Sequence, residues 1–307
     1  MANDDYTFFV DNQLEYLLNR LYELLQAPLK AFELFPVSNE IPEGSETFSY
    51  EIFEKTGMAK LIANYADDLP LADVATKKVV GYIRSIGSAF TYSTKDIRAA
   101  RIAGKDLQAR KMDAVSQAHR QLWNKIAFEG DAEFNLPGLF TNDNIPVTVA
   151  ALNAGGGSRK WEDKTQLERL ADLDDLVTSI VNLTNGVEEP DTIVMPVEHR
   201  RMLFGSPLQS GSDTSAGQWY LDNHDMIKNI VAANEFKDAA SKVDGAYTDS
   251  VIFAYKKAPE KLEFQMPMMM KAYEPQEDNL SYKVPTESET GGLVIYKPLS
   301  CRFLVDV

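Results

Sequence analysis

The chain has 307 residues, 44% of them hydrophobic, so it is long enough to bury one large core or two smaller ones. Its formal net charge of −15 argues against a protein whose main task is to grip nucleic acid, because neutralising phosphates requires clustered Lys and Arg. The single cysteine, Cys301, excludes an intrachain disulfide and a zinc site built on cysteines, and it is expected as a small apolar residue in a late strand.

The N-terminal segment is predicted to be a helical arm. Residues 1–5 lack the basic and apolar regions of a secretory signal, and no run of about 18 apolar residues occurs in the chain, so we expect a protein that stays in the cytoplasm without a membrane partner. Residues 6–35 have apolar side chains spaced by threes and fours, which predicts an amphipathic helix interrupted at Pro28. These side chains are Phe9, Leu14, Leu17, Leu18, Leu21, Leu24 and Leu25.

An extended excursion is predicted after the arm. Phe48, Tyr50 and Ile52 alternate with polar residues, as in a half-buried strand that ends near Gly57. A second extended run over residues 59–65 would complete a two-stranded hairpin. Such a hairpin has little core of its own and is only marginally stable unless it packs against another element.

Residues 76–92 are predicted as one or two strands that lead into a long helix over about 94–129. Ser93 and Asp96 have the spacing of a capping box, which places the start of the helix. A helix of about 35 residues would span roughly 50 Å. Gly104 inside it costs about 1 kcal/mol relative to Ala, which indicates a bend or a close contact. The pattern stops at residues 128–131 and enters a turn over 134–140.

The remaining elements describe a compact α/β unit followed by strands. The unit is predicted to contain a strand at 145–151, a loop at 153–158, a helix at 161–183 closed by Asn185 and Gly186, a strand at 191–196, a helix from 197 to 204, a loop at 205–218 and a strand at 251–255. Three further strands, 261–273, 280–284 and a long apolar 293–307, are expected to return to the strands at 77–92.

No pattern in the sequence indicates catalysis or cofactor binding. Phosphate-binding loops, dinucleotide-binding glycine patterns and zincin motifs are absent. His119 and His199 fall in predicted helices, and His224 lies between Asp222 and Asp225 with ligands too close in sequence to share one helix face. We therefore predict that the protein is not an enzyme and that it has no catalytic, cofactor or metal site.

Charge is spread unevenly along the chain. Residues 1–73 contain fourteen acidic and four basic residues, whereas residues 95–125 contain eight basic residues and three acidic ones. The two regions could be complementary surfaces on different copies of the protein, or solvated faces that never meet. The candidate inter-subunit contacts are Arg98, Arg101 and Lys105 on the basic side and Glu43, Glu46, Glu51 and Glu54 on the acidic side.

The order of these elements resembles that of the major capsid proteins of tailed bacteriophages and the related encapsulin shells, which share the Hong Kong 97-type fold. The most specific segments are 124–140, at the end of the long helix, and residues 57–59 and 67–70 before it. The resemblance implies an α+β fold with an N-terminal arm at 1–35, an E-loop at 36–76, a peripheral domain with a spine helix at 77–140, an axial domain at 141–257 and return strands at 258–307.

The resemblance also implies a structural function. Many copies would form pentamers and hexamers of an icosahedral shell that encloses double-stranded DNA without sequence-specific binding. Portal, scaffold and decoration proteins are the further partners implied, and the location implied is the virion capsid, assembled in the cytoplasm of a bacterial host. The chain starts directly in the arm, so a separate or removed scaffold is expected. Lys55 and Lys60 lie in the E-loop, but no partner for a Lys–Asn crosslink can be assigned.

Two alternatives stay open from the sequence. An encapsulin-type nanocompartment would enclose a protein cargo and no DNA. A soluble enzyme with an unrecognised site would elute as a monomer.

Overall fold

The computed structural model describes residues 28–56, 73–103, 107–209 and 213–307. The predicted arm helix before Pro28, the second run of the excursion at 59–65, and Gly104 lie outside these residues. The described chain mixes helices and strands, so the α+β class is confirmed. None of its helices is long and apolar enough to cross a bilayer.

The helices are α1 (Ala31–Leu34), α2 (Thr94–Ala103), α3 (Leu107–Glu129), α4 (Gln166–Leu183), α5 (Val197–Phe204), α6 (Ala216–Asn223) and α7 (Ala240–Val243). Short 3-10 helices lie at Trp161–Asp163, Asn234–Phe236 and Pro298–Ser300. The strands are β1 (Val37–Ser38), β2 (Thr47–Thr56), β3 (Asp73–Tyr82), β4 (Arg84–Ser93), β5 (Val147–Val149), β6 (Thr192–Met195), β7 (Asn229–Ala232), β8 (Ile252–Tyr255), β9 (Leu262–Gln265), β10 (Met268–Ala272), β11 (Gln276–Asp278), β12 (Ser281–Thr290), β13 (Gly292–Ile295) and β14 (Arg302–Val305).

Within the described residues, the extended excursion is a pair of antiparallel strands, β2 and β3. β2 pairs antiparallel with β3 along its whole length, from Thr47 opposite Tyr82 to Thr56 opposite Asp73. The described partner of β2 is thus residues 73–82, and the predicted run at 59–65 lies outside the described residues. A single residue, Ile83, separates β3 from β4, and its backbone N–H donates to the carbonyl of Glu46 at 2.9 Å. The hairpin thus joins the rest of the subunit directly at the start of β4.

The predicted helix start is confirmed by a reciprocal pair of hydrogen bonds. The Ser93 backbone N–H donates to Oδ2 of Asp96 at 3.1 Å, and the Asp96 N–H donates to Oγ of Ser93 at 3.1 Å. These bonds satisfy two N–H groups that a helix terminus would otherwise leave without partners. The helix is described as α2 and α3, on either side of residues 104–106.

The α/β unit is built on a five-stranded sheet in the order β5-β14-β8-β6-β7. All residues of β6 and β8 are buried, and alternate side chains enter different cores because neighbouring residues of a strand point to opposite faces. Val194 and Phe253 join a core with the end of α3, whereas Ile193 and Ile252 join a core with α4. The sheet therefore separates two hydrophobic cores.

The C-terminal strands differ from the prediction. Residues 293–307 were expected to form one long strand that returns to residues 77–92, but β13 pairs with β9, and β14 lies inside the five-stranded sheet between β5 and β8. The 3-10 helix that starts at Pro298 interrupts the run, because proline lacks the N–H that a central strand needs. Only β12 returns as expected, pairing with β4 from Ser281 opposite Ser93 to Thr290 opposite Arg84.

Candidate inter-subunit surfaces

The acidic candidates lie on and before the hairpin. Glu43 and Glu46 are exposed in the segment that leads into β2, and Glu51 is exposed within β2. Glu54 lies in β2, but its side chain is outside the described part of the structure. The hairpin also exposes apolar side chains, since Phe53 is 62% exposed and Val80 is 51% exposed. A surface of this mixed kind suits contact with another protein better than solvation alone.

The basic candidates lie on the first part of the long helix. Arg98 is exposed in α2, one turn after the capping box. Arg101 lies in α2 without a described side chain, and Lys105 lies outside the described residues. Hydrogen bonds from the backbone and side chain of Ser93 lower the pKa of Asp96, so this carboxylate is ionised at the helix N-terminus, where the helix dipole favours it.

The three histidines hold packed elements together. His119, on α3, is only 2% exposed, and its Nε2 lies 2.7 Å from Oγ of Ser88 on β4, while its Nδ1 lies 2.9 Å from Oγ of Ser288 on β12. Burial lowers the pKa of His119, because a charged ring is poorly solvated there. The neutral ring therefore joins the helix to two strands.

The other two histidines also lie against specific partners. His199 packs against Trp161 with ring centroids 5.4 Å apart, and burial lowers its pKa. Nε2 of His224 lies 2.8 Å from Oδ1 of Asp174, and the ring stacks on Tyr220 at 4.0 Å. Across the described parts of the chain, no three His, Cys, Asp or Glu residues converge as a metal site would require.

The turn that follows α3 fixes the end of the helix against the core. Gly130 has φ +69°, and the turn closes through backbone bonds from Leu139 to the carbonyl of Ala127 and from Phe140 to that of Phe128, at 2.9 and 2.8 Å. A Cβ on Gly138 would stand 2.2 Å from the nitrogen of Gly130. Two backbones meet here without side chains between them, which explains both glycines.

A groove that the sequence analysis did not predict runs between this turn and the base of the hairpin. It has a volume of about 540 Å³ and is lined by Phe48 and Tyr50 of β2, by the turn, and by β13. A second groove of about 590 Å³ shares Tyr50 with it and continues along the hairpin to Leu299. The useful signal was Gly81 within a predicted strand, because a strand glycine often marks a close approach by another group.

Two buried ion pairs were also missed. Nζ of Lys164 lies 2.5 Å from Oδ2 of Asp172, with side chains 1% and 2% exposed, and Nζ of Lys261 lies 2.6 Å from Oε2 of Glu188, with side chains 6% and 8% exposed. Nothing in their spacing distinguishes these residues from solvated charges. Both pairs lie inside the fold, so they are not part of an outer surface.

The chain matches one protein family and resembles several solved structures. A family model described as "Major capsid protein" matches residues 57–306. The fold is similar to that of the capsid of Myoviridae phage XM1, with a TM-score of 0.80 and 15% identity over 96% of this chain and 98% of that chain. It is also similar to the structure of Mycobacterium phage Che8, with a TM-score of 0.59 and 13% identity over 94% of this chain and 96% of that chain.

A weaker similarity extends to a virus-like particle. The virus-like particle from Pyrococcus furiosus matches with a TM-score of 0.51 and 13% identity over 89% of this chain and 90% of that chain. None of the curated proteins matches the sequence.

Proposed function

Because the chain belongs to the major capsid protein family, it is a structural subunit of a capsid shell and not an enzyme, and we propose that it forms pentamers and hexamers of an icosahedral shell around double-stranded DNA. The observation that carries the proposal is the family match over most of the chain. The encapsulin-type compartment and the soluble enzyme are not favoured, since the matching family is that of major capsid proteins.

The main partner is the protein itself, because a capsid shell contains many copies of its subunit. The location is accordingly the virion capsid. Assembly in the cytoplasm of a bacterial host, and association with portal, scaffold and decoration proteins, are parts of the proposal. The net charge of −15 supports a shell that encloses DNA without binding it tightly, because phosphates and carboxylates repel each other.

The division of the chain proposed here follows the expected domains. The arm comprises residues 1–35, the E-loop 36–76, the peripheral domain 77–140 with the return strands 258–307, and the axial domain 141–257. The hairpin β2–β3 supports an E-loop that projects from the body. The place of β14 in the five-stranded sheet ties the return strands to the axial domain as well.

The proposed contact between subunits joins the acidic hairpin side to the basic helix side. Glu43, Glu46 and Glu51 are exposed, and so is Arg98, so within one subunit their charges face solvent and are available to a neighbour. Glu54, Arg101 and Lys105 belong to the same two sets by position in the sequence. Several charges of each sign would give specificity and orientation to the encounter, more than affinity.

The experiment is a charge swap. The variant Arg98→Glu with Arg101→Glu should fold, with a melting temperature near that of the wild type, yet give few particles by electron microscopy and sedimentation. Adding Glu43→Lys, Glu46→Lys and Glu51→Lys to that variant should restore particles if the two sets meet. Normal assembly of the Arg98 and Arg101 variant would refute the contact.

The wild-type particles test the larger proposal. Icosahedral particles made of pentamers and hexamers would support it. A wild-type protein that stays monomeric at all concentrations, or particles that hold a protein cargo in place of DNA, would contradict it.

A further inference from the structure

An aromatic ring of the hairpin lies on two glycines where the hairpin joins the body. Phe48 of β2 is directly opposite Gly81 of β3. A Cβ on Gly81 would stand 2.3 Å from Cζ of Phe48, and a Cβ on Gly291 would stand 3.1 Å from Cε1 of the same ring. The ring therefore occupies the space that any side chain at position 81 would need, which is how an aromatic residue covers a strand glycine opposite it.

A second aromatic residue of the same strand rests on the body. Tyr50 packs edge-to-face on Tyr296, with ring centroids 4.9 Å apart and an interplanar angle of 85°. Tyr296 is held in turn, because its hydroxyl accepts a hydrogen bond from Nε2 of Gln265 at 2.9 Å and donates one to Oε2 of Glu263 at 3.2 Å. Phe48 and Tyr50 are two residues apart in β2, so both point from the same face of the hairpin.

Backbone pairing does not hold the hairpin to the rest of the described chain. Among the described residues, β2 and β3 pair only with each other, and Ile83 alone links β3 to β4. Both Phe48 and Tyr50 line the groove of about 540 Å³, so a displaced ring would have open space to enter. The hairpin could therefore tilt about its base if the two aromatic contacts were lost.

We propose that Phe48 on Gly81 and Gly291, together with Tyr50 on Tyr296, sets the angle at which the hairpin leaves the subunit, and that these residues are positioning residues for shell assembly. The inference rests on the proposed function, because the angle matters only if the hairpin reaches a neighbouring subunit. Ten residues of strand extend roughly 30 Å, so a tilt of about 10° moves the far end by about 5 Å. A shift of that size is larger than a hydrogen bond tolerates.

The test compares two glycines of strands that follow each other in the chain, Gly81 in β3 and Gly87 in β4. Gly81→Ala places a methyl group inside the Phe48 ring, whereas Gly87→Ala in β4 has no atom nearer than 4.0 Å to its Cβ. Neither glycine has a positive φ, so the backbone accepts alanine at both positions. We expect both variants to fold with melting temperatures near that of the wild type, and we expect Gly81→Ala alone to give fewer shells or shells of altered diameter by electron microscopy.

A second pair of variants, at Tyr50, tests the inference without placing a new side chain against Phe48. This pair tests the inference even if Gly81→Ala fails to fold. Tyr50→Ala removes the ring that rests on Tyr296 and should broaden the distribution of particle diameters. Tyr50→Phe keeps the ring and should assemble as the wild type does.

Three outcomes overturn the inference. If the wild type, Gly81→Ala and Tyr50→Ala all give particles of the same yield and diameter, the inference is overturned and the proposed function stands. Equal defects in Gly87→Ala and Gly81→Ala would overturn it as well, because the Phe48 contact would then explain nothing. Absence of wild-type particles would overturn the proposed function and this inference with it.

Discussion

Removing the charge of Asp172 should destabilise the subunit strongly, because Lys164 would remain buried without a counter-charge. The two side chains are 2% and 1% exposed, and Oδ2 of Asp172 also accepts a hydrogen bond from Nε1 of Trp161 at 2.9 Å, while Oδ1 accepts one from the backbone of Ala151 at 3.2 Å. Breaking a buried ion pair by removing one partner costs about 3–5 kcal/mol. That is a large part of a total stability of about 5–15 kcal/mol.

Asp172→Asn keeps the shape and removes the charge, so it isolates this effect. At about 2–4 °C per kcal/mol, the melting temperature of the unassembled subunit should fall by roughly 10 °C. Urea unfolding followed by tryptophan fluorescence gives the free energy, since Trp161 reports directly on the site. The double variant Lys164→Met with Asp172→Asn should recover more than half of the loss, because it buries no charge.

The matched control is the exposed pair of Lys160 and Asp249, whose Nζ and Oδ1 are 3.0 Å apart with side chains 54% and 30% exposed. Asp249→Asn should change stability by less than about 1 kcal/mol, because solvent screens such pairs. If Asp172→Asn costs no more than this control, or if the double variant is as unstable as Asp172→Asn, the argument from burial is refuted.

Three further predictions follow from buried groups. Gly138→Ala should lower the free energy of unfolding by about 3 kcal/mol, because its Cβ would meet backbone atoms of the turn, whereas Gly157→Ala, with nothing within 4 Å, should be nearly neutral in the same thermal melt. Burial lowers the pKa of His119 in the folded state, so the contribution of the neutral ring to stability is complete above the unfolded pKa of about 6.5 and is lost as the pH falls below that value. Between pH 7 and pH 5, the melting temperature should therefore fall more steeply for the wild type than for His119→Gln. Parallel curves of melting temperature against pH would exclude this explanation. Burial raises the pKa of Cys301 to about 12, so a thiol reagent at pH 8 should label the protein only after unfolding, and rapid labelling of the native subunit would contradict the buried position.

The sequence predicted the elements whose signals are local. The capping box of Ser93 and Asp96 marked the start of the long helix, and Gly186, with φ +79°, marked the end of α4. The alternation around Tyr50 indicated the first hairpin strand. Each of these features depends on residues within a few positions of one another, so the order of residues in the chain is enough to find it.

The resemblance to capsid proteins was confirmed by the family match, and with it the fold class and the structural function. The candidate contacts Glu43, Glu46, Glu51, Glu54, Arg98, Arg101 and Lys105 stay predictions, because a contact between subunits is a property of two chains. The sequence supplied their charges, and the structure placed Glu43, Glu46, Glu51 and Arg98 on exposed positions.

The sequence by itself determined the local elements, the distribution of charge and the family. Only the tertiary structure decided that β2 pairs with residues 73–82, that β14 enters the five-stranded sheet, and that Phe48 lies on Gly81 and Gly291. The physical reason is that strand pairing and side-chain contacts join residues far apart in the chain. An alternating pattern shows that a strand has a buried face, but it does not say which distant strand covers that face.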